Sequence, residues 1–286
     1  LNAVAYLEAN KDVGAATGYL VVQPAPPQAR GREKLLANLE FVEYATVFGV
    51  GRSFQSYLNA LFTLSGAFSI FRREILLKSL LYNKDTVSED TELTFQLYAR
   101  ASNSRIVSIP NAIAYLEPTE TWSRLYSQRL RWQRGQLEVS ASHRKDRQDN
   151  LFGFSPTRVL LVDHTLAMPR LIWTAFLPIL TVFNYPAWLI TMSYLSMYLF
   201  YFFIEIVWFA VAFHYAEARV RRRLWTSILL IPLMPIYRLV QFYFRVAGFF
   251  YAIAEPFSWN TGNPVDQVVE GLRDVEEQVN RQIDKF

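Results

Sequence analysis

Charged and polar residues interrupt every apolar run in the first half of the chain, whereas aromatic and aliphatic residues dominate from Leu171 to about Ala254 with only scattered charges between them. The change falls near position 150. In the first part, Ala3, Val4 and Leu7 have helical spacing within Leu1 to Asn10. Val13 to Val22 reads as a strand punctuated by Gly14 and Gly18, and Gln23 to Arg32 (QPAPPQARGR) as an exposed loop. Leu35, Leu39, Val42 and Ala45 restore a helical period over Glu33 to Phe48, with Gly49 and Gly51 following. A short apolar run, FTLSGAFSIF, is broken by Ser65 and Gly66. A helix carrying Leu93 and Leu97 follows, then a buried strand at Arg105 to Ile109 ended by Pro110, then a helix over Trp122 to Leu137. Helices alternating with a few short strands predict an α/β layer built on an incomplete sheet.

The second part predicts a membrane region. Leu171 to Met192 offers about 22 residues without a charge, and Tyr194 to Phe213 a similar length broken only by Glu205. A carboxylate at that depth calls for a buried partner, such as an arginine on another helix, or a polar path. RVRRR (Arg219 to Arg223) follows, where two crossings would return the chain to the cytoplasm. Leu224 to Tyr237 is interrupted by Pro232 and Pro235 and does not read as a simple span. Arg238, Gln241 and Arg245 then form a polar stripe, assigned to the membrane interface in preference to the lining of a channel. Thr157 to Met168, with Arg158, Asp163 and a structural His164, reads as an amphipathic helix leading into the apolar part. Val265 to Phe286 reads as a charged tail helix.

Composition narrows the chemistry. No cysteine is present and the three histidines are dispersed, so disulfides, thiolate metal sites and a zinc cluster are excluded, and any metal must take oxygen ligands. The net charge of +4 does not point to nucleic acid, because much of the basic excess flanks apolar segments. The opening LNAVAYLEANKDVGAATG has neither an initiator Met nor a signal-peptide pattern, and reads as starting inside a helix, as a truncated N-terminus would.

Two clusters carry candidate chemistry. Ser88-Glu89-Asp90 opens a helix, where Ser88 is an acceptable N-cap and first-turn carboxylates suit the helix dipole without any catalytic role. In QRLRWQRG (Gln128 to Gly135), Gln128, Arg131 and Trp132 stand at i, i+3 and i+4 and project from one helical face. An indole offers a plane for a sugar ring, and a guanidinium with an amide donor suits a phosphate. The plainer alternative is a core tryptophan with a solvated border.

Together, VSEDTELT and, about 40 residues later, QRLRW resemble the paired Thr-Glu-Asp and Gln-x-x-Arg-Trp motifs of processive family 2 glycosyltransferases, the cellulose, chitin, hyaluronan and poly-N-acetylglucosamine synthases. The stretch GRSFQSYLNALFTLSGAFSIFRRE further resembles the exosortase-associated bacterial branch. This resemblance implies the C-terminal part of a GT-A-like, Rossmann-like α/β domain over 1–150, interface and transmembrane helices over 151–255, and a cytoplasmic tail over 256–286. It implies Asp90 as general base, Glu89 supporting it, Gln128 and Arg131 holding the diphosphate of a nucleotide sugar, and Trp132 stacking on the acceptor sugar. The Ser65-Gly66 loop would be an acceptor-binding segment, although a glycine at a strand end serves equally as its explanation. Mg or Mn is implied for the full-length protein, but the Asp-x-Asp that would bind it is missing from this chain, which alone is expected to be inactive. FSWNTGNPV (Phe257 to Val265) has some likeness to a Trp-Gly-Thr gating loop, and a plain turn is preferred. Implied partners are a nucleotide sugar, UDP-linked by this resemblance, a polysaccharide or glycolipid acceptor, the lipid bilayer and an accessory membrane subunit. The implied location is the inner plasma membrane with catalysis on the cytoplasmic side. Single transfer to a lipid and a non-catalytic membrane scaffold are the alternatives.

Overall fold

The computed structural model describes residues 2–82, 86–101, 103–143, 156, 158, 159 and 169–254. The FSWNTGNPV segment, the tail helix, His164 and most of the leading helix at 157–168 lie outside the described residues.

Strand β1 (Val13–Val22) is buried at every position, which its near-continuous small and apolar sequence permits. It occupies the centre of a three-stranded sheet, with β2 (Ser69–Phe71) antiparallel on one side and β3 (Arg105–Leu116) parallel on the other. The expected end at Pro110 is corrected: β3 runs on to Leu116. The register jumps there, Gly18 facing Ile109 and Tyr19 facing Ile113, so the proline sits in a bulge where its missing N–H costs no ladder bond. Gly18 permits this crowding, because a Cβ on it would lie 2.0 Å from the Phe68 ring and 2.4 Å from the Ala112 carbonyl oxygen.

Around the sheet pack α1 (Asn2–Ala9), α2 (Gly31–Glu43), α3 (Arg52–Tyr57), α4 (Arg73–Leu76), α5 (Glu89–Arg100) and α6 (Trp122–Ser142). Helix α2 starts where the Glu33 carboxylate accepts the Arg30 N–H at 2.7 Å, and α6 starts on Thr121, whose hydroxyl accepts the Arg124 N–H at 3.2 Å. Gly49 and Gly51 do not break the helix. It passes from α2 through a π-helical stretch, Tyr44–Gly51, directly into α3. Leu61, Leu64, Ile75, Leu93 and Leu97 form one core with Ala15 and Ile106. Ala3 and Leu7 form another with Val13, Ala16, Val107 and Ile109.

The third and largest core joins the two halves of the chain. It gathers Tyr19, Leu20, Val21 and Val22 with Leu36, Phe41 and Leu125, and with Phe209, Ala212, Leu224 and Met234 from the apolar half. Three more helices supply the latter: α7 (Ala187–Tyr215), α8 (Ala218–Thr226) and α9 (Met234–Ala254).

Here two expectations are corrected. Leu171 to Met192 is not a continuous span: a π turn (Ile172–Phe176) and a 3-10 turn (Leu177–Thr181) lead to Asn184, which takes a left-handed φ of 57°, and to Pro186 at the cap of α7. Its last residues belong to α7, so a single unbroken helix precedes RVRRR where two spans had been expected. That basic segment lies on α8 against the α/β layer. Arg223 sits 3.8 Å over the Phe41 ring and donates to the Val22 and Gln23 carbonyls, while Arg221 donates to the carbonyls of Phe213, His214 and Ala216 at the end of α7.

The second correction concerns the stripe on α9, which is bonded to protein groups rather than left free at an interface. Arg238 pairs with Glu205 of α7 and donates to the Thr46 hydroxyl at 2.9 Å, Gln241 donates to Glu43 at 2.7 Å, and Arg245 donates to Gln133 at 3.0 Å. Polar groups among apolar neighbours are stable there because each has a bonded partner on the α/β layer or on α7. Glu205 thus finds the arginine that its position called for. Removing one member of a buried pair strands the other. Glu205→Ala is therefore expected to cost about 3–5 kcal/mol, measured as a lower unfolding midpoint of the detergent-solubilised full-length protein. An unchanged midpoint would show that Arg238 does not depend on it.

Candidate functional site

Asp90 is the second residue of α5, and its two carboxylate oxygens are held by backbone. Oδ2 accepts the Gly66 N–H at 3.0 Å and Oδ1 the Thr91 N–H at 2.7 Å. The loop that carries Gly66 is itself fastened to α5. The Thr94 hydroxyl accepts the Leu64 N–H at 2.8 Å, and the Thr91 hydroxyl meets that of Thr63 at 3.0 Å. Oδ1 also lies 3.3 Å from the Thr91 hydroxyl, so Oδ2 is the oxygen that keeps lone-pair capacity for another donor. Ser65 and Gly66 diverge: Gly66 is exposed beside Asp90, whereas Ser65 is buried, with its hydroxyl accepting the Ala67 N–H and its own N–H donating to Thr17. Ser65 therefore shapes the turn. Glu89 is half-buried at the start of α5. Ser88 holds the N-cap position, as its sequence suggests, but its side chain makes no cap bond.

Instead, Ser88 marks where α5 meets α6. A Cβ on Gly135 would stand 1.9 Å from the Ser88 hydroxyl oxygen and 2.4 Å from its Cβ, so the absence of a side chain on α6 sets the distance between the helices. Gly135 lies three positions beyond Trp132, and Ser88 two before Asp90. The Gln-x-x-Arg-Trp segment and the first turn of α5 therefore face each other. Arg131 is exposed, Gln128 is half-buried with an Oε1 atom lacking any hydrogen-bond partner, and Trp132 is half-buried. The indole meets the Phe48 ring edge-on at 5.8 Å, and the Arg129 guanidinium lies over it at 4.4 Å.

Between Trp132 and Asp90 stands Arg52. Its guanidinium sits 4.6 Å over the Phe48 ring and has a buried Nη1 with no hydrogen-bond partner. Burial pulls this guanidinium down to about 10, while the Asp90 carboxylate acts in the opposite sense, so it remains a cation at neutral pH. Burial also lifts the Tyr44 hydroxyl to about 12, leaving it neutral.

A family model described as "Glycosyl transferase family group 2" matches residues 2–254. The chain belongs to that family. With membership comes the GT-A-type α/β fold that the sequence motifs implied, followed by two helices, Ala187–Tyr215 and Ile228–Phe250, long and apolar enough to cross a membrane. The glycosyltransferase is 29% identical over 130 residues to a poly-beta-1,6-N-acetyl-D-glucosamine synthase of Staphylococcus epidermidis, a match covering 46% of this chain and 29% of that protein. A synthase of the same description from Staphylococcus aureus strain COL is 29% identical over 127 residues, covering 44% and 29% respectively. The chain thus spans under a third of the length of these relatives. Among solved structures, mannosyltransferase PcManGT from Pyrobaculum calidifontis, in complex with GDP-Man and Mn2+, overlays with a TM-score of 0.45 at 15% identity, covering 88% of this chain and 57% of that one.

Phe48, Arg52, Glu43 and Arg129 are the residues of this glycosyltransferase region that motif reading passed over. Arg129 lies inside QRLRW, yet the helical spacing that selects Gln128, Arg131 and Trp132 passes over it, because it lies on the adjacent, buried side of the helix beneath the indole. Gly49 and Gly51, on either side of Val50 and just before Arg52, suggested punctuation and concealed a continuous helix. The closeness of α5 and α6 gives a direct test. Gly135→Ala is expected to cost about 1–3 kcal/mol by overpacking, and adding Ser88→Gly should recover most of it, as read by thermal unfolding. A Gly135→Ala protein as stable as its parent would contradict this contact.

Proposed function

We propose that this glycosyltransferase performs inverting transfer of a sugar from a nucleotide sugar onto a growing β-linked polysaccharide. An acceptor hydroxyl attacks the anomeric carbon as the bond to the diphosphate breaks, its proton passes to Asp90, and a nucleoside diphosphate departs. The observation that supports this reading is the Gly135–Ser88 contact, which brings the Gln-x-x-Arg-Trp helix against the start of the Asp90 helix; on this reading the carboxylate and the Trp132 indole share one cleft. Two backbone N–H groups aim the carboxylate. Glu89 stands beside it as its support, and Gly66, exposed at the rim, lets the acceptor approach, with Ser65 shaping that turn. Gln128 and Arg131 take the diphosphate. The Gln128 amide NH2 would donate to the diphosphate, while its unpartnered Oε1 calls for a ligand donor such as a sugar hydroxyl, since a buried acceptor left bare costs about 1–3 kcal/mol. Trp132 stacks under the terminal acceptor sugar.

The relatives' description makes an N-acetylglucosamine polymer the first product to test, with a UDP-linked donor. A divalent cation such as Mg or Mn is expected on the donor diphosphate. The described residues do not supply its site, for no three His, Asp or Glu groups among them converge, so the proton step above rests on Asp90 and its neighbours alone. The two apolar helices support a bilayer location, with the α/β layer on the cytoplasmic side where nucleotide sugars are made.

Asp90→Asn in the full-length protein is expected to lower transfer of radiolabelled N-acetylglucosamine from its UDP donor by a factor of about 100 or more, with UDP binding within about twofold of the parent. Turnover retained at the parental rate would refute Asp90 as the base.

A further inference from the structure

Glu43 has no part in the chemistry above, yet it is a heavily engaged carboxylate beside the site. It is buried at the end of α2, 4% exposed, and its Oε2 accepts from three side chains on two other helices: Arg129 Nη2 of α6 at 2.9 Å, and Tyr237 Oη and Gln241 Nε2 of α9 at 3.0 and 2.7 Å. A buried carboxylate is costly to desolvate, and here one cation and two neutral donors compensate it at a single oxygen.

The cation is the one that underlies the indole. Arg129 places its guanidinium 4.4 Å from the centre of the Trp132 ring and 5.9 Å from that of Tyr44. One end of the planar fork is fixed by Glu43, and Nε has no hydrogen-bond partner, so Arg129 is oriented by the carboxylate and the rings alone. Burial opposes its charge most strongly, but Glu43 together with Tyr44, Tyr237 and Glu40 outweighs that and holds its pKa above the usual arginine value. Glu40, one turn earlier on α2, adds to that field while its own oxygens accept from the Thr119 N–H and hydroxyl at 2.7 Å.

We propose that Glu43 is a positioning residue for the acceptor: through Arg129 it fixes the plane of the Trp132 indole, and through Tyr237 and Gln241 it ties that plane to helix α9. This rests on the reading of Trp132 as the acceptor platform. Its consequence is that the sugar-stacking surface and the membrane-facing helix are joined as one body. A chain end held on the indole then keeps its place relative to the helices beside it.

The test uses the full-length protein in lipid nanodiscs, with UDP-N-acetylglucosamine as donor and a β-1,6-linked N-acetylglucosamine pentamer as acceptor. Four proteins are compared with the parent: Glu43→Gln, Arg129→Lys, Trp132→Ala, and Glu43→Gln combined with Trp132→Ala. Glu43→Gln is expected to raise KM for the pentamer about tenfold and leave KM for the donor within about twofold. Arg129→Lys should do the same, because a lysine keeps the charge opposite Glu43 but cannot lie flat beneath the indole. Once Trp132 is alanine, Glu43→Gln should change the pentamer KM by less than about twofold, since the residue it acts through is gone.

Effects of Glu43→Gln and Trp132→Ala that multiply, or a donor KM that rises in step with the pentamer KM, would overturn the proposal and leave Glu43 a support of the fold. Should Glu43→Gln not accumulate as folded protein, Arg129→Lys decides alone: a pentamer KM equal to the parent's overturns it. If Trp132→Ala leaves the pentamer KM unchanged, the acceptor platform itself is refuted. If Trp132→Ala raises that KM while Glu43→Gln and Arg129→Lys are silent, only the positioning role falls.

Discussion

A missing side chain sets the geometry of the site. At Gly135 the backbone of α6 comes so close to Ser88 that one added carbon would overlap its hydroxyl. The cores beneath then dictate the rest. Leu93 and Leu97 hold α5 against Ala15 and Ile106, while Leu125 holds α6 in the core around Tyr19 to Val22. With both helices anchored, the Gly135–Ser88 contact holds the start of α5 against α6. Thr91 and Thr94, by bonding the 63–66 loop, bring the Gly66 N–H to Asp90.

A second constraint explains why the apolar helices belong to the same body. Phe209, Ala212, Leu224 and Met234 pack into the core that starts at Tyr19 to Val22. Packing among apolar side chains is non-directional and would tolerate sliding or rotation of α7 and α9. The polar bonds do not: Arg238 to Glu205 and Thr46, Gln241 to Glu43, and Arg245 to Gln133 each fix a register, because a slip would leave a charge or amide bare inside the protein. The π-helical stretch Tyr44–Gly51 supplies Phe48 toward the indole and Thr46 toward Arg238, so an irregular turn faces the site on one side and α9 on the other.

Local features of the fold were legible in the sequence. The β1 limits, the start of α6 at Trp122 and the helix after Ser88 follow from period and capping, which act over a few residues. What depended on tertiary contacts was not. Pro110 reads as a strand end until the bulge opposite Gly18 is seen, and Gly49 and Gly51 read as a break until the helix is found continuous. The uncharged run from Leu171 reads as a span because length alone cannot reveal the turn at Asn184. The α9 stripe was misassigned for the same reason: a row of Arg, Gln and Arg looks alike whether it meets headgroups or buried carboxylates. At the site, motif spacing selected the helical face that points outward and so missed Arg129, Phe48 and Arg52, which act from below.

The most direct measurement is a structure of the full-length protein with UDP and an N-acetylglucosamine oligomer bound. The terminal sugar ring should lie against the exposed part of the Trp132 indole, with its reactive hydroxyl within about 3.2 Å of an Asp90 carboxylate oxygen. An oligomer bound away from the indole, or a terminal hydroxyl that faces away from Asp90, would contradict the shared cleft on which the account stands.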